Sequence, residues 1–136
     1  MRFTLVPLVA VTLTTSSAAL AITQFSFDHN GSLVFVDSTA NRITYTEPKP
    51  SIAGTVKQGD TLFVGTIGDQ RIWGTAYVFK RGCEPAGYNV SGRWSSDGGF
   101  VLRGAAPIRE KDGCRIIGYS DTSPNAVLRF KLPYPD

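Results

Sequence analysis

Residues 74–94, GTAYVFKRGCEPAGYNVSGRW, decide the fold. The stretch reads as strand, Cys-bearing loop, strand. Residues 71–80 are rich in aromatic and β-branched types and divide into two unequal faces under strand alternation. One face carries Ile72, Gly74, Ala76 and Val78; the other carries Trp73, Thr75, Tyr77 and Phe79. The strand after the loop places Tyr88, Val90, Gly92 and Trp94 on one face and Asn89, Ser91 and Arg93 on the other. The polar set is expected to face water. Pairing the strands so that Phe79 lies opposite Tyr88 joins the bulky face to the apolar one, and then Tyr77 meets Val90 and Trp73 meets Trp94. Phe100, in the following strand, continues this inner face. The cluster Trp73, Tyr77, Phe79, Tyr88, Trp94 and Phe100 has two readings: a filled core, or the lining of a cavity for a small apolar ligand.

The same stretch has an echo. Gly-Cys-x-x-x-Gly-Tyr occurs at residues 82–88 and again at 113–119, each time after Gly-small-Ala (Gly74-Thr75-Ala76 and Gly104-Ala105-Ala106). Strand and loop order carry both cysteines to one end of the sheet. With two cysteines in a chain expected to be exported, one Cys83–Cys114 disulfide is the expected pairing.

Outward from this centre, the chain is punctuated rather than periodic. Short strands are expected at 24–28, 33–36, 42–46 and 61–67. Asp28-His29-Asn30-Gly31 supplies a tight turn, because Asn-Gly takes positive φ readily. Glu47-Pro48-Lys49-Pro50 reads as a stiff extended crossover. Pro107 is expected to end a strand, residues 109–113 form a charged loop, and Ala126, Leu128, Phe130 and Leu132 alternate inward against Val127, Arg129 and Lys131. No helical period of useful length appears after residue 22. The expected fold is all-β: an antiparallel meander closing into a small barrel, with a two-sheet sandwich as the alternative.

The N-terminus reads as a cleaved secretory signal. Arg2 gives a positive start, residues 3–13 are apolar around Pro7, and Ala19-Leu20-Ala21 fits a cleavage pattern, so that residues 22–136 form a single β domain. The expected location is periplasmic or extracellular, with no transmembrane segment in the mature chain. The net charge of +3 is too small to read as a nucleic-acid footprint.

The combination of Gly-Thr-Ala-Tyr-Val-Phe-Lys, Cys83, Tyr-Asn-Val-Ser-Gly, Leu-Arg-Gly-Ala-Ala-Pro, Cys114 and Gly118-Tyr119 resembles small exported bacterial proteins with no assigned activity, over residues 41–130. The resemblance implies no catalytic or ligand-binding residue. Gly92-Arg93-Trp94 is also similar to the Gly-x-Trp of lipocalin and avidin-like barrels, where that motif stands near the start of the barrel, and implies a similar architecture.

Several side chains invite a chemical reading. His29 is the one imidazole in the sequence and the candidate base for a hydrolase, but no nucleophile-elbow motif accompanies it. Glu47, Glu84 and Glu110 are scattered rather than paired. Asp28, Asn30 and Ser32 alternate like an EF-hand opening, yet Thr39 stands where that loop needs a bidentate Glu, so neither metal nor cofactor is expected. Arg81, Arg109, Lys111 and Arg115 gather near the cysteines, as a recognition surface for an anionic partner or as solvated loops. Asn30-Gly31-Ser32 and Asn89-Val90-Ser91 are glycosylation patterns if the source is eukaryotic. The expected function is a non-enzymatic binding module for a small apolar ligand or an envelope or extracellular protein. A structural envelope protein is the first alternative and a His29 hydrolase the second.

Overall fold

The computed structural model describes residues 2–4, 7, 9–12 and 24–133. Of the expected signal segment, residues 2–4, 7 and 9–12 have no regular secondary structure; the expected cleavage site lies outside the described residues.

The architecture is an all-β, nearly closed antiparallel barrel with a small second sheet. The barrel strands are β1 Gln24–His29, β2 Ser32–Asp37, β3 Arg42–Glu47, β4 Thr61–Ile67, β5 Ile72–Val78, β6 Ala86–Trp94, β7 Phe100–Arg103 and, last in the chain, β10 Val127–Phe130. Strands β8 Ala106–Arg109 and β9 Ile116–Ser120 form a separate hairpin between β7 and β10, and a short 3-10 turn, Pro124–Ala126, leads into β10. The sheet order β1-β2-β3-β4-β5-β6-β7-β10 is a meander interrupted by that hairpin. Local chemistry sets the turns. Asn30 (φ 52°) and Gly31 (φ 91°) both occupy the left-handed region, as a two-residue hairpin turn between right-twisted strands requires. Asp37 Oδ1 accepts from the amides of Thr39 and Ala40, forming the next turn from its own side chain. The expected crossover at residues 47–50 is short: by Ile52 the chain has entered a helical-type turn, in which the Val56 amide donates to Ile52 O over 2.8 Å.

The barrel closes between its first and last strands with little hydrogen bonding. Asp28 and Lys131 form one bridge, with Asp28 N to Lys131 O at 2.7 Å and Lys131 N to Asp28 O at 3.0 Å. Rings do the rest. Phe27 of β1 meets Phe100 of β7 edge to face at 5.3 Å, Phe100 stacks on Phe130 of β10 at 4.4 Å, and His29 stacks on the far side of the seam against Phe130 at 4.6 Å. Trp94 extends the column, 5.0 Å from Phe100. Such pairs add to the burial of large apolar side chains, so the seam is sealed by core packing where the ladder is sparse.

The register of the central hairpin corrects the sequence expectation. Tyr88 faces Ala76, not Phe79; Val90 faces Gly74, not Tyr77; and Trp73 faces Ser91, not Trp94. The inward face of β5 is therefore the small one, with Ile72 and Ala76 fully buried, while Trp73 points outward and is 49% exposed. The volume missing from this face is supplied by neighbours. Phe63 of β4 is fully buried, and its ring lies over the paired Gly65 and Gly74. Across β5–β6, Tyr88 and Val90 fill the space above Ala76 and Gly74. Large-against-small pairing fills an interior as well as large-against-large, with less strain. Two smaller departures follow. Pro107 lies within β8 rather than ending a strand, and Leu132 is exposed rather than inward.

Candidate functional site

At the cysteine-bearing end, Cys83 and Cys114 are joined by a disulfide with their Cα atoms 5.4 Å apart. The bond ties the β5–β6 loop to the β8–β9 loop. Both copies of Gly-Cys-x-x-x-Gly-Tyr are thus hairpin loops leading into strands, but their tyrosines differ: Tyr88 is buried in the barrel, and Tyr119 is 63% exposed on the small sheet. The basic residues gathered here are largely used within the protein. Lys80 Nζ donates to Glu110 O at 3.0 Å, Lys111 O at 2.9 Å and Gly113 O at 2.6 Å. All three ammonium donors are thereby satisfied. Arg109 donates to the carbonyls of Cys114 and Glu84, Arg81 donates to Gly54 O at 3.3 Å, and Arg115 pairs with Glu110 at 3.5 Å. Lys111 is exposed. Lys80 and Arg109 brace the two stapled loops against each other, and Arg81 ties the first of them to the β3–β4 connection.

At one mouth of the barrel, His29, Tyr45, Tyr88, Val56, Ile52 and Asn125 line a cavity of about 150 Å³, below the ~300 Å³ at which ligand pockets usually begin. Its polar groups have internal work. His29 is 7% exposed, and its Nδ1–H donates to Arg129 O over 2.9 Å. This bond places the neutral ring's proton on Nδ1. Burial lowers the His29 pKa from its ordinary 6.5, outweighing the Arg129 carbonyl, which raises it. Tyr88 Oη–H donates to Asn125 O over 2.5 Å, and burial pushes the Tyr45 and Tyr88 phenols up to about 12. Both stay neutral hydrogen-bonding groups at physiological pH. The Asp28–Ser32 segment is a hairpin turn: Gly31 N donates to Asp28 Oδ1 at 3.3 Å, and Ser32 Oγ accepts from Lys49 N at 2.9 Å.

The six aromatic residues singled out in the sequence are divided by the sheet. Tyr88 and Phe100 are in the core; Phe79 and Trp94 pack against it, half-buried. Trp94 Nε1–H donates to Gly68 O at 2.7 Å. Tyr77 and Trp73 stand on the outer surface, in the row of outward residues on β5.

That outer surface holds a groove of about 420 Å³, bounded by Arg71 and Trp73 on one side and Arg103 on the other and floored by Thr75, Asn89 and Ser91. The cross-strand register builds it. Trp73 faces Ser91, Ser91 faces Arg103, and Thr75 faces Asn89, so the short polar side chains of β6 lie between two tall walls. The Arg71 guanidinium sits 5.9 Å from the Trp73 ring centroid, a cation–π contact that holds both side chains upright. Strands β4, β5, β6, β7 and β10 contain no Asp or Glu, yet carry Arg93, Arg103 and Arg129. Strands β1 to β3 carry Asp28, Asp37 and Glu47. One side of the barrel is thus cationic and the other mixed, an asymmetry that the net charge of +3 conceals. Among the described residues, Arg71, Arg93, Arg103 and Arg129 make no ion pair.

A second open groove, about 550 Å³, lies beside the disulfide loop between Arg42, Lys57, Asp60, Tyr77 and Glu84. Its charges are of both signs. The Trp73–Arg103 groove differs in combining one sign of charge with an exposed indole and uncharged hydrogen-bonding groups.

No protein-family model, curated protein or solved structure matches the chain.

The sequence reading did not single out this groove. Its one available signal was the run of strands lacking acidic residues but containing arginine at outward positions. Placing Trp73 on the inner face hid the aromatic half of the pattern.

Proposed function

We propose that the protein is an exported, non-enzymatic binding module that holds an anionic ligand in the groove between Trp73 and Arg103. The observation that carries this reading is a wall of Arg71 and Trp73 facing Arg103 across a floor of Thr75, Asn89 and Ser91, with no acidic residue on the strands that build it. Guanidinium groups recognise carboxylate and phosphate through paired N–H donors, and unpaired exposed arginines keep those donors available. Export is supported by the signal-like N-terminus and by the disulfide, which persists in oxidising compartments. His29 supports the non-enzymatic reading: it is buried, with its ring stacked on Phe130 in the closing seam.

The test is a titration of isotope-labelled protein followed by amide and indole chemical shifts, using citrate, inorganic phosphate, glucuronate and neutral glucose as probes. The expected result is saturable shifts with the anions, confined to the Trp73 indole and to amides of β5, β6 and β7. No saturable shift with any anion, or shifts confined to the His29 cavity, would overturn the proposal.

A structural role for the small sheet is a second reading, favoured by one observation. The β8–β9 hairpin leaves Ile117 (59%) and Tyr119 (63%) exposed, apolar side chains suited to envelope contact.

A further inference from the structure

We propose that the anionic ligand is an acidic polysaccharide, a chain of uronic-acid sugars lying across the outer face of β5, β6, β7 and β10. This inference rests on the binding-module reading and specifies its ligand class.

The first support is the extent of the cationic face. Extending the β5–β6 register by one residue sets Arg71 opposite Arg93; Arg93 faces Val101, and Val101 faces Arg129. In the next row, Trp73 faces Ser91, Ser91 faces Arg103, and Arg103 faces Val127. The two rows cross four strands, so the arginines spread over about 14 Å at ~4.8 Å per strand. A single small anion would use one end of this array. A polymer with one carboxylate on each sugar meets guanidinium groups along its whole length.

The second support is the composition of the groove itself. A pyranose ring presents an apolar C–H face, which an indole face or edge covers well, and hydroxyl groups around its rim. Trp73 supplies the indole, held by Arg71. Thr75, Asn89 and Ser91 supply short, uncharged groups that both donate and accept. This mixture suits an acidic glycan better than single-stranded nucleic acid. Nucleic-acid grooves depend on a succession of aromatic platforms for successive bases. Here the groove offers one tryptophan; Tyr77, the other outward ring of β5, lines the neighbouring groove.

The third support is the disposition of charge around the barrel. Asp37 and Glu47 of β2 and β3 lie on strands away from the groove. Asp28 of β1, by contrast, borders β10 through its bridge to Lys131, and Asp121 shares a pocket with Arg103. The favourable track for an anionic chain therefore runs between these acids, along the Arg71, Trp73 and Arg103 groove.

The experiment is affinity electrophoresis of the full protein in native gels containing polygalacturonate, with dextran, oligo-dT and anionic phosphatidylglycerol vesicles in parallel and galacturonate monomer as a competitor. Polygalacturonate is expected to retard the protein, dextran not to, and the monomer to compete at least tenfold more weakly per sugar. Trp73→Ala is expected to weaken retardation at least tenfold, and the surface double variant Arg93→Gln/Arg103→Gln by a similar factor. Both positions are solvent-exposed, and the double variant keeps the test valid if the tryptophan variant folds poorly. Equal or tighter binding of oligo-dT or of the vesicles would overturn the inference. So would retardation unchanged by Trp73→Ala, which would mark unspecific charge attraction. If small anions shift the groove resonances but the polymer gains nothing over the monomer, the binding-module reading stands and the polysaccharide inference falls. If neither binds, both fall.

Discussion

Gly65 and Gly74 face each other across β4 and β5 beneath the ring of Phe63. A β-carbon on Gly74 would stand 2.4 Å from Val64 O and 2.6 Å from Gly65 Cα, and 3.0 Å from Phe63 Cζ. The two nearest obstacles are backbone, which cannot swing aside. Gly74→Ala is therefore expected to destabilise the protein by about 2–3 kcal/mol, the upper part of the overpacking range. Urea unfolding measures this directly. A loss below about 0.5 kcal/mol, the level of a neutral surface change, would refute the close approach.

The two tryptophans should report opposite environments. Trp94 packs on Phe27 and Phe100 and donates to Gly68 O, so its emission is expected to be blue-shifted. Trp73 is half-exposed beside Arg71 and should emit near the water-like limit. Trp94→Ala is expected to cost about 3 kcal/mol, and Trp73→Ala about 1 kcal/mol or less, through loss of its cation–π contact. Spectra and unfolding curves of the two variants check both statements. Blue-shifted emission from both tryptophans, with a cost of about 3 kcal/mol for each alanine variant, would restore the register expected from sequence.

The Lys80 ammonium should be the polar counterpart of the disulfide. It binds three carbonyls of the loop that Cys114 anchors. Lys80→Met keeps most of the stem and deletes the donors. It is expected to cost about 1–2 kcal/mol, discounted for partial exposure from the range for hydrogen bonds to charged groups, and to raise protease cleavage within residues 110–113. Reduction of Cys83–Cys114, which are 31 residues apart, should cost about 3–4 kcal/mol in the chain-entropy model. Urea midpoints with and without reductant, and for the lysine variant, test the two terms separately.

His29 should make stability depend on pH in one direction. Burial holds its folded pKa below the ordinary 6.5, so on acidification the unfolded chain takes up the proton first. Its stabilising contribution is complete above pH 6.5 and is lost as pH falls through the folded pKa. His29→Asn retains a donor for Arg129 O but does not titrate. The variant should be less stable at neutral pH and show a flatter melting temperature between pH 5 and 7. An equal slope in both proteins would assign the dependence to other groups.

The sequence by itself determined the class, the strand spacing and the disulfide. Gly, Asn, Asp and Pro between short alternating runs leave a chain of these lengths little choice but antiparallel hairpins, because turn chemistry is local. Strand 61–67 appears as Thr61–Ile67, and the Asn30-Gly31 turn has the positive φ values its residues favour. Loop order brought the cysteines together. Tertiary structure alone decided which face of β5 is inside. Alternation separates Ile72, Gly74, Ala76 and Val78 from Trp73, Thr75 and Tyr77, but the inward face is chosen by the volume that other strands bring. Phe63 and Tyr88 already fill the space above Gly74 and Ala76, so a second bulky row would overpack it. The same choice turned Trp73 outward and set it two strands from Arg103. The candidate site is a product of cross-strand register, and register depends on packing between residues far apart in the chain.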